Sequence, residues 1–402
     1  MQPLDKPGHS PSMLLCCWEF GGNLGAEGIC TQRLVKALLQ QQWRVAAAVS
    51  NYARPSLADP LLDVFSFSDW PCTARIERLM ARLGYHFEPR LSWRWRLRQA
   101  APGKTADFIY GRALPFGGLL AAAALARKLN KPLGLHFSDP IPNPWEARDR
   151  LFRSKVKAVD KIIKSSTFVT FVTDEAIKYT ENQLNIPLEG KAFVLPHVAP
   201  EVTICPPSTE KALFLYAGRF YGPRRPDLLL KGFQLLAREN RNVAFHILGD
   251  QMNLLQPLIG ELQLEGRVEL FPFTKQPQPH FARAEVLVAT DASDEHPVFL
   301  TTKLIEYLNT NRKVLLVSPP SSPGSKLAAR FPETVIRVEE DPVAIAGAMK
   351  RLLELRPTEQ DFRDRFNGMS SFSPARVAEI FTRETAGRLP AKTHPGGGHS
   401  DH

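Results

Sequence analysis

Cysteine is scarce in this chain of 402 residues: Cys16, Cys17, Cys30, Cys72 and Cys205 make five, an odd number without the spacing of a metal site. That argues against a disulfide scaffold and a zinc module, and five reduced thiols suit a cytosolic protein. No run approaches the ~20 apolar residues that a membrane span requires. The proline-bearing start, Met1 to Ser12, lacks the apolar core of a signal peptide, so a cytoplasmic location is the expectation. Nothing repeats at solenoid length. No Asp-x-Asp pair stands at a strand end, so no metal is expected to be needed.

What is present is an ordinary globular composition, 44% hydrophobic and 23% charged, enough for a large core. Lysine and arginine number 51 against 41 acids, a net charge of +10 that favours anionic partners. The N-terminal half alternates strands and helices. Met13 to Trp18 reads as a buried strand, a glycine-rich turn runs from Gly21 to Gly28, Ile29 to Gln40 has helical periodicity, and Arg44 to Val49 is the next strand. Further units follow from Asp107 to Leu195, with Asp174 expected to cap a helix. Residues 201–210 read as a proline-rich linker. The rhythm then restarts with a strand at Leu213 to Ala217, a helix at Pro226 to Glu239 and strands to Val317. A helix opened by Ser373-Pro374 ends the ordered part.

The division expected is therefore a flexible 1–12, an N-terminal domain 13–200, the linker 201–210, a C-terminal domain 211–370, a terminal helix 371–389 and a disordered tail 390–402. Both domains read as α/β, doubly wound and Rossmann-like, facing each other across a cleft. Ligands of such sheets sit at the carboxyl ends of the strands.

Two segments carry chemistry. In Gly218-Arg219-Phe220-Tyr221-Gly222-Pro223-Arg224-Arg225-Pro226 a strand stops, a loop with arginines follows and a helix begins. Backbone amides at a helix start favour an anion, and an arginine adds a charge-assisted bond to phosphate. A solvated turn with surface arginines is the plain alternative. In Thr301-Thr302-Lys303-Leu304-Ile305-Glu306-Tyr307-Leu308, hydroxyls and a lysine again stand where a helix starts, and Glu306 lies one turn further in. The alternative there is an ordinary Lys/Glu surface pair.

Together these two segments resemble the C-terminal domain of glycosyltransferase family 4, a retaining family of GT-B architecture. The resemblance implies that Arg224, with Arg225 as the lesser candidate, and Lys303 grip a donor diphosphate. Glu306 would hold the ribose, and Gly218, Arg219, Tyr221, Gly249, Thr301 and Thr302 would line the nucleotide-sugar site. The base would stack near Phe271 to Thr274. In the looser N-terminal half, Gly21 and Gly22 would let backbone approach the donor phosphates or the acceptor. His136 and Asp139, in His136-Phe137-Ser138-Asp139-Pro140 with Trp145 beyond, would face the acceptor. The family's first glutamate, eight positions before Glu306, is replaced by Val298; either Glu295 serves the sugar instead or backbone groups do.

The expected function is transfer of a sugar from a UDP- or GDP-linked donor, a co-substrate, with no cofactor. The acceptor would be a saccharide or lipid-linked saccharide of surface polysaccharide. A non-catalytic binding protein, or a sugar-nucleotide epimerase or phosphorylase of the same architecture, is the alternative. Nucleic acid is not expected as a partner, since no motif for it is present. The segment Arg90 to Arg98 alternates arginine with tryptophan and leucine. It suits an anionic membrane surface, or else a helix that packs its tryptophans and solvates its arginines.

Overall fold

The computed structural model describes residues 10–21, 25–53, 55–70, 75–76, 79, 91–113, 115–145, 150–206, 212–291 and 296–390. Gly22, Cys72, Arg90 and Glu295 lie outside them, as do most of the segment before Ser12 and the tail.

Two wholly parallel sheets organise the chain. The first has seven strands in the order β3-β2-β1-β4-β5-β6-β7, namely Leu62–Phe67, Arg44–Ser50, Ser12–Cys16, Phe108–Arg112, Leu133–Phe137, Phe168–Phe171 and Ala192–Val194. The second has six in the order β10-β9-β8-β11-β12-β13, namely Val268–Phe271, Ala244–Leu248, Leu213–Ala217, Val286–Thr290, Lys313–Val317 and Val335–Val338. Both have the doubly wound pattern, with the order reversing beside the first strand of each half, where ligands bind. Central strands are short and apolar because helices cover both faces. Sequence periodicity placed these strands within a few residues. The outer strands β3 and β13 were not foreseen.

Helices used below are α1 (Ala26–Gln40), α2 (Leu91–Ala100), α3 (Gly117–Leu129), α4 (Arg150–Ser165), α5 (Asp174–Leu184), α6 (Pro226–Glu239), α7 (Met252–Glu261), α8 (Gln278–Arg283), α9 (Thr302–Leu308), α10 (Pro323–Ala328), α11 (Pro342–Glu354), α12 (Glu359–Gly368) and α13 (Pro374–Ala386). The cap of α5 is Thr173, not Asp174: the Thr173 hydroxyl accepts from the Ala176 amide, and Asp174 is the first helical residue. A threonine in extended backbone fills this role well, and Asp174 then favours the positive end of the helix from inside it.

The final helix packs on the N-terminal sheet. Val377, Ala378 and Phe381 join Trp43 and Phe108 in one buried cluster, and Trp43 Nε1 donates to Thr382 Oγ1 at 2.9 Å. Arg365 is fully buried with no carboxylate partner among the described residues and donates instead to the Thr310 and Arg312 carbonyls. No helix among the described residues is long and apolar enough to cross a membrane.

Candidate functional site

The loop after β8 forms one side of the site. Gly218 has φ 145°, a backbone conformation that L side chains rarely adopt, and a Cβ there would collide with the Lys303 side chain. Glycine is required because Lys303 crosses directly over the loop. Lys303 Nζ donates to Tyr216 Oη at 2.8 Å and stands 4.5 Å from the Tyr216 ring centroid. Tyr216 is itself held by Phe220, stacked at 4.2 Å, and donates its hydroxyl to the Arg219 carbonyl.

Arg224 lies further along the same loop. It is buried, with its guanidinium 4.3 Å from the Tyr221 ring and 5.5 Å from the Trp145 ring. Burial opposes its charge, while Tyr221, Tyr216 and Asp291 raise its affinity for the proton. Its buried Nε finds no hydrogen-bond acceptor among the described residues. A buried cation with an unfilled donor is suited to an incoming anion. Gly222, with φ 61°, leaves space for Trp145, whose ring would lie 2.8 Å from an added Cβ. Trp145 also packs on Phe299 at 4.3 Å, so this N-terminal residue reaches between two elements of the C-terminal half.

The remaining candidates separate. Arg225 is exposed and makes a fork with Asp227 at 2.9 and 2.8 Å, away from Arg224. Arg219 is exposed and pairs with Asp250 at 3.1 Å. Gly249 backs onto the Gly218 carbonyl. Thr301 and Thr302 stand at the start of α9 with Lys303, and the Thr301 side chain makes no cap bond. Glu306 is engaged by Arg33 of α1 at 2.7 Å, an ion pair that joins the two domains. Phe271 is wedged between His246 and His280, whereas Phe273 is exposed and its amide is held by Asp250. Val298 presents its carbonyl, not its side chain, to the Thr173 hydroxyl.

On the N-terminal side, strand ends supply a buried polar chain. Glu27, in the first turn of α1, accepts from Arg112 at 3.0 and 2.8 Å and from Ser138 at 2.6 Å. His136 meets Ser138 through Nε2 at 3.1 Å and Thr170 through Nδ1 at 2.9 Å, and Thr170 meets the Tyr110 hydroxyl at 2.7 Å. Each hydroxyl has one proton, and that of Ser138 goes to Glu27. His136 must then donate from Nε2, so Nδ1 accepts from Thr170 and Thr170 accepts from Tyr110. Burial, then Arg112 and His197, hold the His136 pKa well below its ordinary value, which keeps the ring neutral as this assignment needs. His136 is thus committed on both nitrogens within the protein. Gly21 folds back on α1, its amide donating to the Gly28 carbonyl at 3.0 Å.

Asp139 follows β5 at the same edge. Burial and the Glu27 charge raise its pKa from 3.8 to about 6, against the pull of Arg224. His197 is pushed down to about 4, first by burial and then by Arg112. The buried thiols Cys17 and Cys30 are driven up to about 12 by burial, which leaves them unreactive at neutral pH.

Sequence reasoning missed Glu27, Arg33, Arg112, Ser138 and Tyr216. Arg112 ends strand β4 and Glu27 stands in the first turn of α1, positional signals that were available. Their pairing was not, because they come from different units.

Residues 211–355 match the family of glycosyl transferases group 1. No curated protein matches the sequence. Among solved structures, HepE of Anabaena with UDP and glucose has a TM-score of 0.70 at 14% identity, over 94% of this chain and 100% of its own. The UDP-forming α,α-trehalose-phosphate synthase of Burkholderia xenovorans has a TM-score of 0.68 at 12% identity, over 95% and 100%. TarM of S. aureus, as a variant with UDP and α-GlcNAc-glycerol, has a TM-score of 0.66 at 11% identity, over 93% and 99%.

Two Rossmann-like domains arranged in this way define the GT-B fold of glycosyltransferases. Within that fold, it is the C-terminal domain that carries the match to glycosyl transferases group 1.

Proposed function

We propose that this protein transfers a sugar from a UDP- or GDP-linked donor to a saccharide or lipid-linked saccharide acceptor, as a family 4-like hexosyltransferase of surface polysaccharide synthesis. The observation that carries this reading is Lys303 seated over Tyr216 at the carboxyl edge of β8, with the buried Arg224 in the loop that follows the same strand. Breaking the anomeric bond leaves negative charge on the departing diphosphate. Two fixed cations there, with the amides of the loop, stabilise that charge as it grows. No metal ion is needed for this role, and no cofactor. Glu306 would accept ribose hydroxyls once Arg33, now paired with it, yields or shares it. Retention at the anomeric carbon follows only from the family resemblance.

The relatives solved with UDP make UDP the first ligand to try. Thermal melting with UDP, GDP and their sugar conjugates should show one nucleoside diphosphate raising Tm, since a ligand that binds only the folded state stabilises it by mass action. An unchanged Tm at saturating concentrations of every one of them would reject the reading.

Asp139 gives a pH test. Below about pH 6 its carboxyl is neutral; above, it can accept a hydrogen bond from an acceptor hydroxyl. Transfer should therefore fall as pH drops through about 6, and Asp139→Asn should flatten that limb. Because folding raises this pKa from 3.8, the group favours the folded state in acid and loses that contribution as pH rises through about 6. Asp139→Asn should then be no less stable than wild type at pH 7. An acid limb identical in the two proteins removes Asp139 from the chemistry.

A further inference from the structure

Helix α1 lays its polar face against residues of the C-terminal half. Leu34, Val35, Leu38 and Leu39 turn into the N-terminal core, so Arg33 and Lys36, three residues apart, share the opposite side. Both meet acids from beyond residue 200: Lys36 reaches Glu201 at 3.3 Å and Arg33 reaches Glu306 at 2.7 Å. The two contacts differ in kind. Lys36 and Glu201 are 54% and 86% exposed, a pair that water and salt screen. Arg33 and Glu306 are only 25% and 23% exposed, and Glu306 is the acid that the donor ribose would meet.

Only one oxygen of that acid is taken. Arg33 Nη2 donates to Glu306 Oε1, and Oε2 has no hydrogen bond among the described residues. A carboxylate offers about four lone-pair sites on its two oxygens, so this contact leaves room for the two neighbouring hydroxyls of a ribose. What the contact supplies is orientation. A free glutamate side chain gives up rotamer freedom when a ligand fixes it. A charge-assisted bond from a guanidinium fixes it beforehand, and what is already ordered costs little more at binding. No other hydrogen bond among the described residues holds the Glu306 carboxylate, so its orientation depends on a residue of the other domain. Arg33 in turn meets no other carboxylate among the described residues.

We infer that Arg33 is a positioning residue for the donor ribose: it turns the Glu306 carboxylate so that Oε2 and the open side of Oε1 accept the 2′ and 3′ hydroxyls. The inference rests on Glu306 being the ribose acid, and adds that selectivity for ribose over deoxyribose is set across the domain boundary.

Titration calorimetry of the full chain with UDP and 2′-deoxy-UDP, and with GDP and 2′-deoxy-GDP, tests this through the affinity ratio within each pair. Wild type should favour the ribose form of the nucleotide it binds by roughly tenfold or more, the worth of a hydrogen bond to a charged group. Arg33→Met should weaken binding of that ribose form about fivefold, leave the deoxy form nearly unchanged, and so narrow the ratio to about two. Arg33→Lys should restore part of the ratio. Lys36→Met removes the neighbouring interdomain pair and should keep the wild-type ratio. Both nucleotides of a pair are measured on one protein, so a smaller folded fraction does not alter the ratio. An Arg33→Met ratio equal to wild type overturns the inference and leaves Glu306 its role, including the case in which both forms weaken together because a cation near the diphosphate was lost. Tighter ribose binding by Arg33→Met also overturns it, since Arg33 would then be a plug, and so does a Lys36→Met ratio as narrow as that of Arg33→Met. Wild type without a preference for ribose strikes Glu306 from ribose binding and the inference with it. Failure of all four nucleotides to bind rejects the donor reading itself, and this inference falls with it.

Discussion

Lys303→Met should slow sugar transfer by about a hundredfold to a thousandfold, the usual cost of removing one donor aimed at developing charge. Methionine keeps the alkyl chain that fills the space over Gly218 and removes the ammonium. The melting temperature should therefore hold. The Nζ–Tyr216 contact is a single hydrogen bond on a partly exposed side chain, so its loss costs the fold little. The effect should fall on kcat more than on donor affinity, because the charge grows as the bond breaks. A Lys303→Met enzyme with wild-type turnover would show that the diphosphate is held elsewhere.

Glu27→Ala should cost stability instead, about 3–5 kcal/mol, because it strands a buried charge. Arg112 is 3% exposed, and Glu27 accepts two hydrogen bonds from it together with one from the Ser138 hydroxyl. Burial works against the Arg112 charge, and Glu27 is the foremost group sustaining it. Without the carboxylate, the Tyr110–Thr170–His136–Ser138 chain also loses its terminal acceptor. Urea unfolding should show a lower midpoint for Glu27→Ala. Replacing both partners, Glu27→Met with Arg112→Met, should recover part of the loss, since no lone charge remains. Single and double variants of equal stability would mean that the pair is not coupled.

Much of the architecture was legible locally. The strand Leu213–Ala217 and the helix Pro226–Glu239 match the sequence reading residue for residue. Apolar runs of strand length and helical periodicity with a proline at the first position leave few alternatives there. The outer strand β3 escaped because most of its side chains are exposed, so it lacks the apolar run that marks its neighbours. The tryptophan segment divided: Trp93 packs inside and Trp95 faces out, which spacing alone did not separate.

Residue types and their order by themselves determined two parallel-sheet domains and two helix starts carrying Arg224 and Lys303, because period, caps and glycine positions are local properties of the chain. Only the tertiary structure decided that Arg224 lies under Trp145 while Arg225 turns to Asp227. It also decided that Glu306 is met by Arg33, and that burial and Glu27 lift the Asp139 pKa to about 6. Those outcomes depend on which side chains from distant units share a buried volume, where desolvation and charge act across space and not along the sequence.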